Sequence, residues 1–183
     1  MRMNQQQSLT AENILNSYSY EELTLIFQNY GEERYSKLSA KKIIDNRPIY
    51  KTKELIKLIK DALPKQNPIY IEKSIRRIFQ AIRIQVNDEI DELKKSLTSI
   101  KDVILKKGVI ICISYHSLED KIVKNFMNGL TIGCTCDPSI AICVCNKVES
   151  FKFPNKKKYY PSNEEIKTNS RAKSATLRYV VKL

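Results

Sequence analysis

The chain has 183 residues, room for one ordinary domain or two small ones, and 42% of them are hydrophobic, which excludes wholesale disorder. The 32 Lys and Arg against 20 Asp and Glu leave a formal charge of +12. Such an excess attracts polyanions such as nucleic acid or an anionic membrane surface; nucleic acid is favoured over the alternative of a generally basic surface. No apolar run approaches the roughly 20 residues of a bilayer-crossing helix. The Met1–Gln7 segment has no apolar signal-peptide centre. A cytoplasmic protein is expected, its Cys residues thiols or metal ligands rather than disulfides.

Residues 1–107 are predicted to be almost entirely helical. Ser19 with Glu22 fits a capping box that opens a helix over Tyr20–Tyr30, ended by Gly31, with Leu23, Ile26 and Phe27 on its apolar face. A second helix is expected over Glu32–Asp45, burying Tyr35, Leu38, Ile43 and Ile44 and stopped by Arg47-Pro48. Thr52 is the expected cap of a short helix that carries Leu55, Leu58 and Ile59 and halts before Pro64. Asn67-Pro68 starts the next, with Asn as N-cap and Pro at the first helical position. From Ile75 to Ile104 the apolar residues advance in steps of three and four. That is a core stripe on one long helix, or on two that meet near Asn87-Asp88.

At Gly108 the period changes. Val109–Ser114 is a continuous apolar run, the pattern of a strand buried on both faces in a parallel sheet. Ser117 is the expected cap of a helix over Leu118–Met127, paired with Asp120 and closed by Asn128-Gly129. Helix, strand and helix in that order suggest one unit of a layered α/β sheet, in which ligands bind at the carboxyl ends of strands. His116, Ser117, Glu119 and Asp120 fall there. His116, the only His, is able to orient a substrate or exchange a proton at neutral pH. The local alternative is that Ser117 and Asp120 merely cap a helix while His116 fills a turn. A Ser-His-acid triad is not indicated. Ser162 with Glu165 then opens a short helix ending near Asn169, and Thr176–Leu183 alternates as a strand.

Residues 130–160 are irregular. Cys134, Cys136, Cys143 and Cys145 form two Cys-x-Cys pairs, a set suited to a tetrahedral structural Zn²⁺, with plain thiols or a redox pair as alternatives. Cys112 lies within the strand and reads as inert core. Lys152, Lys156, Lys157 and Lys158 with Tyr159 and Tyr160 combine phosphate-seeking charge with stacking rings, or form a solvated loop. Arg76, Arg77 and Arg83 flank the long stripe, placed to line an RNA groove. Only four Gly occur, and they form no Gly-rich turn for a nucleotide cofactor.

The run Gly108-Val109-Ile110-Ile111-Cys112-Ile113-Ser114-Tyr115-His116-Ser117-Leu118-Glu119-Asp120 resembles the strand–helix signature of the RsmH (MraW) family. That family comprises S-adenosyl-L-methionine-dependent methyltransferases acting on N4 of a cytosine in small-subunit ribosomal RNA. Other blocks resemble it in the same order. They are Met1–Asn4, Leu9–Glu12, Tyr30–Arg34, Phe79–Ile84 with Val86–Glu89, Pro161–Ile166 and Asn169–Arg178. Three positions depart. Lys73–Arg77 stands where the family has His-Pro-Ala-Thr-Arg, Asn4 where it has Asp, and Asn169-Ser170 where it has Asn-Pro.

The resemblance implies an α/β fold: an incomplete class I, Rossmann-like methyltransferase sheet holding its late strands only, with an all-helical substrate-recognition insert. Residues 1–8 would be a remnant of the core, 9–66 the helical substrate-recognition domain, 67–107 the helical return, and 108–183 the C-terminal part of the core. It implies S-adenosyl-L-methionine as cofactor, with the cofactor-binding residues outside this chain, and the 30S subunit or its rRNA as partner. His116, Glu119 and Asp120 become candidates for a catalytic pocket wall, and Arg2, Arg76, Arg77, Arg83, Lys156, Lys157, Lys158, Arg171, Lys173 and Arg178 become candidate RNA contacts. Because Met1 falls within a family motif, a split, decayed or mis-started frame is expected, with a separately encoded N-terminal fragment as partner. Without it, the expected states are inactivity and an oligomer or aggregate. The alternative function is a non-catalytic, basic RNA-binding remnant.

Overall fold

Side-chain caps set most helix starts in this computed structural model, which describes residues 1–64, 67–134, 136, 142, 145, 148–155 and 158–183. The chain forms two compact units, Met1–Glu89 and Ile90–Leu183.

In the first unit, Thr10 opens α1 (Ala11–Ser17) by accepting from the Asn13 N–H at 3.0 Å, while the Asn13 side chain accepts in return from the Thr10 N–H at 2.9 Å. The predicted Ser19–Glu22 box opens α2 (Tyr20–Asn29) in the same reciprocal way, at 3.2 and 2.7 Å. Gly31 does not end this helix by a left-handed turn. Glu32 takes that conformation, at φ 50°. Gly31 is required for close approach, since a Cβ there would stand 2.7 Å from the Phe27 carbonyl oxygen and 2.8 Å from that of Arg77.

The next helix, α3 (Ser36–Ile44), starts later than expected because Glu32 is left-handed and Glu33 turns inward. Leu38, expected in the core, is exposed; Ser39 and Ala40 are buried in its stead. For α4 (Thr52–Ala62) the N-cap is Lys51, not Thr52. Glu54 accepts from the backbone N–H groups of Tyr50 and Lys51, both at 3.0 Å, the acidic half of a capping box. Asn67 caps α5 (Pro68–Asn87), its side chain accepting from the Ile69 N–H at 3.0 Å. Arg47 donates to the carbonyls of Leu15 and Tyr18 at the end of α1, supplying donors that the helix terminus lacks. Ile14, Leu23, Phe27, Ile43, Ile59, Ile78 and Ile82 make a fully buried core among these five helices.

The long stripe belongs to two helices. Asp88, left-handed at φ 52°, ends α5, and α6 (Glu89–Val103) follows. Ile78, Ile82 and Val86 serve the first core, whereas Leu93, Leu97, Ile100 and Ile104 serve the second. After α6 come β1 (Val109–Ser114), α7 (Ser117–Leu130), β2 (Phe151–Lys152), α8 (Asn163–Thr168), a 3₁₀ turn at Ser170–Ser174 and β3 (Thr176–Lys182).

The sheet has the order β1-β3-β2, and both pairings are antiparallel. This corrects the expected parallel strand buried on both faces. Ile110, Ser114 and Val180 face the second core, packed with Val123 and Met127 of α7 and Leu97 of α6. On the other face Val109, Ile111 and Ile113 are 44%, 61% and 55% exposed. Their cross-strand partners are Val181, Tyr179 and Leu177, so that face is an apolar surface. The apolar run specified a strand but not how many layers cover it. Helix α7 also passes through Asn128-Gly129 to Leu130, where a Cβ on Gly129 would meet nothing. Among the described residues no helix is long and apolar enough to cross a membrane.

Candidate functional site

The predicted site lies where β1 hands over to α7. The extended backbone of His116 (φ −142°, ψ 162°) makes it, rather than Ser117, the N-cap of α7. Its Nδ1 accepts from the Glu119 N–H at 3.3 Å, which assigns the ring proton to Nε2 in the neutral form. Nε2 is buried and lies 3.1 Å from Glu119 Oε1, close enough for attraction but not aligned as a hydrogen bond. The other Glu119 oxygen accepts from the Tyr115 N–H at 2.9 Å. Burial raises the Glu119 carboxyl, but the close approach of the His116 imidazole and the bond from the Tyr115 backbone outweigh it and leave the group below its ordinary value. His116 and Glu119 thus form a reciprocal cap that fixes the imidazole.

Asp120 is turned the other way. Arg178 on β3 grips it with Nε at 2.6 Å and Nη2 at 2.8 Å, a two-pronged ion pair. Arg178 is 5% exposed. Its hydrogen bond to Asp120 holds that carboxyl below its ordinary range, with lesser help from Lys158 and Lys124. The pair ties the first turn of α7 to the sheet. Asp120, expected to complete the cap, therefore serves tertiary packing, and Arg178, a candidate RNA contact, is enclosed with its carboxylate partner.

The remaining basic candidates divide by how they are held. In the first unit, Arg83 makes a two-pronged pair with Glu89, both bonds 2.9 Å. Arg77 lies 3.9 Å from Glu33, whose side chain is fully buried. Arg2 donates to the Gln7 carbonyl at 2.8 Å. Arg76 is different: its side chain is 80% exposed and meets Glu72 only at 3.5 Å. In the second unit Arg171 and Lys173 are exposed on the 3₁₀ turn. Lys158 lies over the exposed Tyr160 ring, 4.8 Å from its centre, and Tyr159 stacks on Tyr179 at 5.6 Å. Lys156 and Lys157 lie outside the described residues. A groove that the sequence did not suggest, about 310 Å³ in volume, is lined in the first unit by Glu22, Leu25, Ile26, Asn29 and Tyr30 along α2, with Tyr18 after α1 and Gln85 on α5. The approach of Tyr18 and Gln85 to α2 is tertiary, so no local spacing announces the groove.

Three of the four candidate ligand cysteines come together. The Sγ atoms of Cys134, Cys136 and Cys145 all lie within 4.8 Å of one another. Cys143 lies outside the described residues. Cys112 stays apart in β1, its thiol pushed up by burial.

The chain is similar to known proteins along its whole length. The MraW methylase family matches residues 1–183. Relatives named ribosomal RNA small subunit methyltransferase H include that of Clostridium botulinum (strain Loch Maree), 43% identical over 186 residues covering 100% of this chain and 60% of the relative. That of Halothermothrix orenii is 44% identical over 181 residues, 97% of this chain and 58% of its own. That of Caldicellulosiruptor saccharolyticus is 45% identical over 188 residues, 100% and 60% respectively. The chain therefore belongs to the MraW methylase family, and it spans about 60% of the length of these relatives.

Proposed function

We propose that this chain is the RNA-recognising and sheet-completing part of an S-adenosyl-L-methionine-dependent methyltransferase acting on N4 of a cytosine in small-subunit ribosomal RNA. The family match along the whole chain carries the reading of the chemistry. In this reading residues 9–66 recognise substrate, 67–107 return the chain to the core, and 1–8 and 108–183 belong to an incomplete class I sheet. The exposed Val109, Ile111 and Ile113 face supports it, because a sheet needs a second apolar layer. The part of the relatives outside the match would supply that layer.

The residues present do not fit the cofactor. Gly108 precedes a strand, Gly31 fills a turn between helices, Gly129 lies inside α7 and Gly133 follows it. None of them follows a strand and opens a helix, the place where backbone can close around a nucleoside. What this chain would contribute is the RNA side of the reaction. The exocyclic amine of cytosine is a weak nucleophile that must be unstacked and held by acceptors. His116 and Glu119 would wall the pocket at the end of β1, while Asp120 and Arg178 hold that wall to the sheet. Arg76, Arg171, Lys173 and Lys158 would meet phosphates, whereas Arg2, Arg77 and Arg83 already meet protein partners.

The test is to co-express this chain with the portion of a relative outside the match and purify the complex. Labelled methyl groups should pass from S-adenosyl-L-methionine to small-subunit RNA in the complex. A stable complex that transfers none defeats the reading. The charge of +12 favours one second reading, a non-catalytic RNA-binding protein. That reading predicts salt-dependent RNA affinity from this chain alone and no transfer in any mixture.

A further inference from the structure

The cysteine loop has a geometry that methyl transfer does not use. Its ends are closed on each other: the Ser150 N–H donates to the Leu130 carbonyl at 3.4 Å. Gly133 then stands beside Glu149, with 3.6 Å from a Cβ on Gly133 to the Glu149 nitrogen. Cys134 follows directly on this stem. Its Sγ lies 3.8 Å from that of Cys145. A disulfide would need about 2.05 Å. A tetrahedral zinc thiolate site, with Zn–S of about 2.3 Å, separates neighbouring sulfurs by about 3.8 Å. The Cys136 N–H also points at the Cys134 sulfur, 3.4 Å away, a donor of the kind that stabilises a metal-bound thiolate.

Among the described residues between α7 and β2, Ile132, Ile142 and Val148 are 45%, 79% and 80% exposed and build no core of their own. Short segments without a core are held by cross-links or metals.

We infer that Cys134, Cys136 and Cys145 are ligands of a structural Zn²⁺ that staples the loop between α7 and β2. Cys143, two residues before Cys145 in the sequence, lies outside the described residues, and its own variant reads whether it completes the set. Binding releases the thiol protons to solvent and involves no change of oxidation state. A site closed by four thiolates is structural and has no open position for catalysis.

The test uses the full chain purified with reductant and without added metal. About one zinc per chain is expected by elemental analysis. Exchange to Co²⁺ should give the visible bands of tetrahedral thiolate coordination, a readout independent of methyltransferase activity. Cys134→Ser and Cys145→Ser should each lose the metal and the bands, and Cys143→Ser should weaken both. Cys112→Ser should keep them. Chelation should open residues 131–149 to proteolysis while the helical unit stays resistant. A wild-type chain that takes up neither zinc nor cobalt overturns the inference. So does zinc retained in full by both Cys134→Ser and Cys145→Ser, or mass mapping that finds these cysteines in disulfides.

Discussion

Asp120 and Arg178 show how one residue pair can be misjudged from sequence and still be identified as important. The sequence marks Asp120 as a capping residue and Arg178 as a basic one; the structure joins them with bonds of 2.6 and 2.8 Å. Asp120→Ala would leave a guanidinium buried without its partner, and we expect a loss of about 3 kcal/mol in the second unit. The pH dependence has a definite sign. The folded carboxyl lies below its ordinary value, so the pair stabilises the protein fully above the unfolded value near 3.9. That contribution disappears as pH falls through the lower, folded value. Urea midpoints measured against pH should therefore separate wild type from Asp120→Asn at neutrality and converge in acid. In the first unit Gly31→Ala forces a methyl against two backbone carbonyls, at 2.7 and 2.8 Å. Neither carbonyl is the end of a flexible side chain, so the cost should be about 2 kcal/mol, read by chemical denaturation.

At the scale of elements, caps and periodicity were legible and coverage was not. Ser19, Asn67 and Ser162 sit at their helix starts as the sequence predicts, because each bonds to a backbone N–H within three residues. The error at Ser117 has the same origin. A Ser is the commoner cap, but the extended backbone of its neighbour placed the His116 ring over the Glu119 N–H instead. His116→Ser should keep an acceptor at the cap and hold helix stability within about 0.5 kcal/mol, whereas His116→Ala should cost about 1 kcal/mol. If His116 also walls the pocket, both variants lower methyl transfer in the completed enzyme, and only the alanine variant lowers the melting temperature markedly. Equal losses of stability in the two variants would refute the capping role.

For the whole molecule, charge and the uncovered sheet face set the expectations. RNA affinity should fall steeply with salt, by a slope of about 0.7 per phosphate contacted on a single strand. Arg76→Ala and Lys173→Ala, both at exposed positions, should each reduce that slope by about one contact at unchanged stability. Arg178→Ala should instead act on stability. A chain studied alone should self-associate through Val109, Ile111 and Ile113, and Ile111→Lys should shift it toward monomer in sedimentation velocity. A wild-type chain that stays monomeric at high concentration would contradict this.

The sequence by itself determined the helix starts at Ser19, Asn67 and Ser162, the strand at Val109–Ser114, the basic character and the resemblance to a family. Each of these is written in neighbouring residues or in total charge. Tertiary structure decided which candidates have partners. It enclosed Arg178 with Asp120 and made Gly31 a point of close approach. It gathered Cys134, Cys136 and Cys145 within 4.8 Å and left one face of β1 exposed. The physical reason is range. A cap or a helical stripe is satisfied within a few residues. An ion pair between residues 120 and 178, or the layer that covers a strand, depends on chain brought from far away.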